Sequence, residues 1–154
     1  MKKLLSLFVA LVALSGCSMF GADGGLFSGV DCESRLARNF AENSTDTVFF
    51  AFDSSALSAE ATAALDTQVN WLSNHPDTNV IVQGYCDERG TREYNLALGE
   101  RRANAVKQYL VSQGIAEHRI STISYGKERP AVFGSNEAAW AQNRRAVTVL
   151  ASAE

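Results

Sequence analysis

The sequence predicts an α+β domain: a four-stranded mixed sheet with helices packed on one face. Three observations lead there. Four short segments are rich in β-branched and aromatic residues, stretches with helical spacing of apolar residues separate them, and the order along the chain is β-α-β-α-β-(α)-β. No internal repeat and no second apolar core is visible, so a single folded unit over residues 45–154 is expected.

The first strand is expected at residues 47–52, where Val48, Phe49, Phe50 and Phe52 cluster, and Asp53-Ser54-Ser55 ends it. Ser58 is placed to cap a helix carrying Leu57, Ala61, Leu65, Val69 and Leu72 at helical spacing, and Pro76 closes that helix. Residues 78–85 form the second strand, centred on Val80-Ile81-Val82. The longest helix covers residues 92–113, with Gly114 as its stop. Residues 120–125 make the third strand, 135–142 a short helical turn and 145–150 the last strand. Phe133 and Trp140 are expected in the core.

Composition narrows the function. The chain has 154 residues, 46% hydrophobic, with two Pro, which excludes a disordered protein. Its 14 basic and 17 acidic residues give a charge of −3, with no lysine cluster of the kind that binds nucleic acid. Cys32, Cys86, His75 and His118 show no recurrent metal-ligand spacing, and no cofactor is expected. Asp87 and Glu88 are neighbours on a loop and do not flank one bond, and no nucleophile–His arrangement is present, so an enzyme is not expected.

Residues 1–16 read as an export signal. Lys2 and Lys3 precede an almost wholly apolar run from Leu4 to Leu14, well short of the roughly 20 residues a spanning helix needs. Leu14-Ser15-Gly16-Cys17 resembles the lipobox of bacterial lipoproteins, which implies cleavage before Cys17 and its lipidation. Removing Lys2 and Lys3 leaves 12 basic and 17 acidic residues, a charge of −5. Ser18 after the cysteine resembles the outer-membrane class of sorting signal, implying a lipid-anchored protein whose domain faces the periplasm. Residues 17–44, with Gly21, Gly24, Gly25 and Gly29, are expected to form a flexible tether.

The long helix carries the most informative residues. At about 100° per residue, Leu98, Tyr94, Ala105, Tyr109 and Val106 define an apolar arc, and Arg102 and Asn95 fall inside it. A guanidinium in a buried stripe is expensive unless paired and hydrogen-bonded. The polar loop over residues 86–91 leads into the helix N-terminus, where backbone N–H groups favour anions. Two readings follow: an internal Asp87–Arg102 ion pair that fixes the loop, or a pocket with an acid on one wall and a cation on the other, matched to a zwitterionic ligand.

The run Gly84-Tyr85-Cys86-Asp87-Glu88-Arg89-Gly90-Thr91-Arg92-Glu93-Tyr94-Asn95-Leu96-Ala97-Leu98-Gly99-Glu100-Arg101-Arg102-Ala103 resembles the signature of OmpA-like C-terminal domains, and within them that of the peptidoglycan-associated lipoproteins. Ser124-Tyr125-Gly126-Lys127-Glu128-Arg129-Pro130 and Asn143-Arg144-Arg145-Ala146-Val147 resemble the later motifs of that family. The resemblance implies non-covalent binding of the peptidoglycan stem peptide through its meso-diaminopimelate residue. It implies that Asp87 accepts the ligand ammonium, Arg102 clamps a carboxylate and Asn95 completes the grip. Phe52 and Asp53 match the opening segment of the family's pocket, and either Arg144 or Arg145 joins it. Leu98 is expected to pack beneath Arg102. Tyr85 and Cys86 depart from the pattern, standing where His and Thr or Ala are frequent; the loss of His removes a pH switch there, and strand alternation would point one of the two inward.

The same resemblance implies a role in the Tol–Pal system, with TolB and TolA as partners and TolB competing with the cell wall for one surface. The alternative is an envelope assembly lipoprotein that binds proteins but not peptidoglycan. Selectivity for diaminopimelate over lysine is expected, because a lysine side chain keeps the amine and lacks the second carboxylate. Export also bears on Cys32 and Cys86, which either pair in a disulfide or stay as two thiols.

Overall fold

The computed structural model describes residues 28–151. The elements are α1 (Ser28–Asn43), β1 (Thr47–Phe49), α2 (Ala59–Asn74), β2 (Val80–Tyr85), α3 (Arg92–Ser112), a 3₁₀ turn (Glu117–Arg119), β3 (Ile120–Gly126), α4 (Glu137–Asn143) and β4 (Arg145–Leu150). The strands form one sheet in the order β1-β4-β2-β3. β4 runs antiparallel to both β1 and β2, while β2 and β3 are parallel, so the sheet is mixed as expected.

One face of the sheet meets the helices. Val48, Val80, Val82, Ile120 and Ala146 are buried there against Leu65 and Leu72 of α2 and Ala103, Val106 and Leu110 of α3. The caps follow the local chemistry of the sequence. Ser58 Oγ accepts from the Ala61 amide at 3.1 Å, Thr91 Oγ1 accepts from the Tyr94 amide at 3.2 Å, and Gly114 stops α3 in the left-handed region at φ +98°. The carbonyls around the end of α2 are satisfied from a distance: the buried Arg119 donates to Leu72 O, His75 O and Thr78 O.

Four features differ from the sequence reading. Residues 28–43, expected in the tether, form α1. It docks through Phe40, whose ring meets Trp71 edge-on at 4.9 Å, while Trp71 Nε1 donates to Asn39 Oδ1 at 2.8 Å. β1 stops at Phe49, because the chain then curls away through Asp53, a non-glycine residue at φ +50° that a short acid side chain tolerates. Phe133 is 88% exposed instead of buried, and Trp140 is only half-buried, beside the loop that follows β2.

The fourth difference concerns α3. Its buried residues are Asn95, Leu98, Gly99, Arg102, Ala103, Val106 and Leu110, whereas Tyr94 is 45% exposed. The buried face is therefore turned away from Tyr94 and toward Gly99 and Ala103, while Tyr109 packs at the edge of the core. Small residues let the helix approach the sheet: a Cβ on Gly84 would lie 1.9 Å from Gly99 O, and a Cβ on Gly99 would lie 2.3 Å from Ser124 Oγ. This contact sets Asn95, Leu98 and Arg102 directly beside the C-terminal end of β2, where the next loop begins.

Candidate functional site

The carboxyl end of β2, the N-terminal half of α3 and the segment after β1 enclose a cavity of about 170 Å³. Phe52, Asp53, Asp87, Asn95, Leu98 and Arg102 all line it, together with Cys86, Arg89, Gly90 and Tyr94. The residues singled out from the sequence thus converge, with the exception of the two C-terminal arginines.

Arg102 is 1% exposed, and its partners are neutral. Nε donates to Ser54 O at 2.9 Å, one terminal nitrogen to Tyr85 O at 2.8 Å and the other to Ala51 O at 3.1 Å. The early end of β1 explains this: the chain over residues 50–54 turns its carbonyls inward, where no strand partner claims them. Burial pushes the Arg102 pKa down, partly countered by the nearby Cys86 and Asp87. The internal Asp87–Arg102 ion pair considered from the sequence is not formed.

Asp87 is paired elsewhere. It is 4% exposed, and Arg89 grips both its oxygens, Nε to Oδ1 at 3.1 Å and a terminal nitrogen to Oδ2 at 2.7 Å. The Arg89 amide also donates to Oδ1, at 3.1 Å. Arg144, itself buried, reaches Oδ2 at 3.5 Å while its Nε donates to Phe50 O at 3.0 Å and its remaining nitrogen to Glu137 at 2.6 Å. Burial alone would raise the Asp87 pKa, but the bonds and charge from Arg89 and Arg144 outweigh it and hold the carboxyl below its ordinary range.

Of the two C-terminal arginines, Arg144 supports the acid. Arg145 does not reach the cavity; strand alternation turns it to the opposite sheet face, where it lies 3.9 Å above the Tyr85 ring. Tyr85 in turn stacks on Tyr125 at 5.4 Å. Cys86 is a free, buried thiol whose Sγ donates to Asn95 O at 3.3 Å, and burial raises its pKa. The Cys32–Cys86 bond left open by the sequence is therefore not made here; the Cys32 side chain and Cys17 lie outside the described residues.

Asn95 braces the loop. Its Nδ2 donates to Arg89 O at 2.8 Å and to Thr91 O at 3.0 Å. Lys127 adds bonds to Glu88 O and Gly90 O, and Trp140 Nε1 donates to Glu88 Oε1 at 3.0 Å. On the facing wall, Tyr94 donates its hydroxyl proton to Asp53, which raises the tyrosine pKa. The sequence reading assigned no site role to Arg89 and placed Tyr94 and Trp140 among the core residues. Arg89 stands two residues beyond Asp87 in a glycine-ended loop, and that spacing was the available signal.

Comparison with known proteins decides the family. Residues 49–144 match the OmpA family, and residues 1–18 match the prokaryotic membrane lipoprotein lipid attachment site. The peptidoglycan-associated lipoprotein of Mesorhizobium japonicum is 45% identical over 150 residues, covering 94% of this chain and 89% of that protein. This chain belongs to the peptidoglycan-associated lipoproteins of the OmpA family. The lipoprotein of the same name from Pseudomonas aeruginosa is 42% identical over 157 residues, covering 93% of each chain. Among solved structures, the peptidoglycan-associated lipoprotein of Burkholderia pseudomallei is 43% identical with a TM-score of 0.67, covering 69% of this chain and 90% of that one. The C-terminal domain of Helicobacter pylori MotB shares the fold, with a TM-score of 0.65 at 19% identity over 70% of this chain and 85% of its own. The protein is thus a membrane-anchored envelope lipoprotein associated with peptidoglycan.

Proposed function

We propose that the cavity binds the peptide stem of peptidoglycan non-covalently, taking the free amino-acid end of its meso-diaminopimelate residue. The supporting observation is the Arg102 guanidinium, which is buried at the cavity with carbonyl partners and, among the described residues, no carboxylate bonded to it. Carbonyl dipoles take three of its five N–H donors and do not neutralise its charge. A ligand carboxylate supplies that compensation in a partly enclosed site. Asp87, held ionised chiefly by the Arg89 side chain and oriented by the Arg89 amide, offers the complementary position for the ligand ammonium. A cavity of about 170 Å³ suits one amino-acid head group and not a whole stem.

In this reading the Cys17 lipid holds the domain at the outer membrane, facing the periplasm, and the cavity holds the wall. TolB and TolA are the partners that this family membership suggests, with TolB taking the same surface in place of the wall.

Retention on purified sacculi tests the reading. Full-length protein is pulled down on diaminopimelate-containing walls, with Asp87→Asn beside wild type. Retention of the variant is expected to fall about tenfold or more, the loss typical of removing one buried charged partner. Retention unchanged in the variant would favour an assembly lipoprotein that does not use this cavity for the wall.

A further inference from the structure

The Asp87 carboxylate, to which the proposed function assigns the ligand ammonium, already has a cation on it. The Arg89 guanidinium takes both carboxylate oxygens, at 3.1 Å and 2.7 Å. It also lies 4.0 Å from the centre of the Phe52 ring and 4.1 Å from that of Trp140. Two aromatic faces and a carboxylate make a cation site in their own right. The other guanidinium on Asp87, that of Arg144, is 8% exposed and fixed by Phe50 O and Glu137; the Arg89 side chain is 30% exposed and lines the cavity.

We propose that Arg89 is an internal competitor that sets the affinity for ammonium-bearing ligands: to pair with Asp87, the ligand ammonium displaces the Arg89 side chain. The inference rests on the proposed function and adds a residue to it. The loop is built for such an exchange. Its backbone is held by Asn95 on Arg89 O and by Lys127 on Glu88 O and Gly90 O, none of which involves the Arg89 side chain. Asp87 keeps its orientation through the Arg89 amide, which stays when the guanidinium leaves. Exchanging one cation for another on Asp87 gains little by itself. The net gain on binding then comes from the carboxylate that the same ligand brings to Arg102.

The test uses full-length lipoprotein in detergent, wild type and Arg89→Gln, titrated with two soluble tripeptide stems. One ends in meso-diaminopimelate; the other ends in 2-aminopimelate, which keeps the side-chain carboxylate and lacks the amine. Arg89→Gln is expected to bind the diaminopimelate stem about fivefold tighter, the scale of one partly exposed ion pair removed from competition, and to gain nothing on the 2-aminopimelate stem. In wild type, the Trp140 indole N–H resonance is expected to shift with the diaminopimelate stem only, as the guanidinium leaves its ring. Equal or weaker binding of the diaminopimelate stem by Arg89→Gln overturns the proposal, as does an equal gain on both stems. Asp87→Asn separates the two levels. If it binds the diaminopimelate stem like wild type, the proposed function falls with the inference; if it loses binding while Arg89→Gln gains none, only the role of Arg89 falls.

Discussion

Arg102 and Asp87 line one cavity without touching: Arg102 is spent on three backbone carbonyls, and Asp87 is held by Arg89 and Arg144. Each charge is therefore fixed in place by the protein and is not neutralised by the other. A direct Asp87–Arg102 pair would occupy both partners at once, whereas here Asp87 is paired with Arg89 and Arg144 and Arg102 with carbonyls.

Arg102 also carries structural weight, so its replacement affects more than binding. Arg102→Met strands the buried Tyr85 carbonyl and removes the donor from the part-buried carbonyls of Ala51 and Ser54, and is expected to cost about 3 kcal/mol of stability, an unsatisfied buried acceptor being worth roughly 1–3 kcal/mol. Arg102→Lys should recover only part of it, because a single ammonium cannot reproduce the planar fork that reaches three carbonyls. Urea unfolding of the two variants beside wild type measures both. Binding assays are therefore cleaner at Asp87.

Close approach of α3 to the sheet predicts unequal effects at two glycines. Gly84→Ala drives a methyl into the Gly99 carbonyl, which is backbone and cannot step aside. Gly99→Ala meets the Ser124 hydroxyl, the end of a side chain, although the Gly84 carbonyl also lies close at 3.0 Å. Thermal unfolding should show Gly84→Ala as the more damaging by about 1–2 kcal/mol, within the range of overpacking costs. Equal effects would mean that the helix shifts along the sheet to admit either methyl.

The pH dependence has a definite sign. Asp87 has a folded-state pKa below its unfolded value of about 3.9, so its contribution to stability is complete above about pH 4 and is lost as pH falls through the lower folded value. With Tyr85 in place of a titrating His and with Arg102 and Arg89 charged throughout, stem binding should be flat from about pH 5 to pH 9. It should weaken only in acid, where Asp87 takes up a proton. Isothermal titration across that range checks it; a midpoint near pH 6.5 would contradict the assignment.

Cys86 is expected to be inert. Its thiol is buried, donates to Asn95 O and has a raised pKa, so little thiolate forms near neutrality. Alkylation of the native protein, followed by mass analysis of the peptide that contains Cys86, should find it unmodified, and denaturant should expose it. Rapid labelling in the native state would mean that the cavity floor opens.

Much of this was written in the sequence where local chemistry decides structure. Ser58, Gly114 and the four strand-forming segments act through their own backbone and near neighbours, and the elements fall where those residues put them. Arg102 stood out because a guanidinium inside an apolar arc demands an explanation. Its actual partners were not readable, since Ala51 and Ser54 lie some fifty positions upstream and only the curl after β1 brings their carbonyls across. Leu98, Val106, Asn95 and Arg102 of α3 are buried as the arc required, but its centre lies further round because Tyr94 was weighted as a core residue, while Gly99 and Ala103, which permit contact with the sheet, carry no apolar signal of their own. α1 escaped notice for a related reason: much of its surface is polar, and Phe40 gains meaning only once Trp71 is beside it.

The separated charges are tested most directly by comparing three soluble stems that differ only in the third residue: diaminopimelate, lysine and 2-aminopimelate. Titrated against full-length wild-type lipoprotein, the diaminopimelate stem should bind at least about tenfold more tightly than either stem that lacks one of the two charges, the consequence of leaving a buried partner unmatched. Equal affinity for diaminopimelate and lysine would show that Arg102 meets no ligand carboxylate, and the account of the cavity would be wrong.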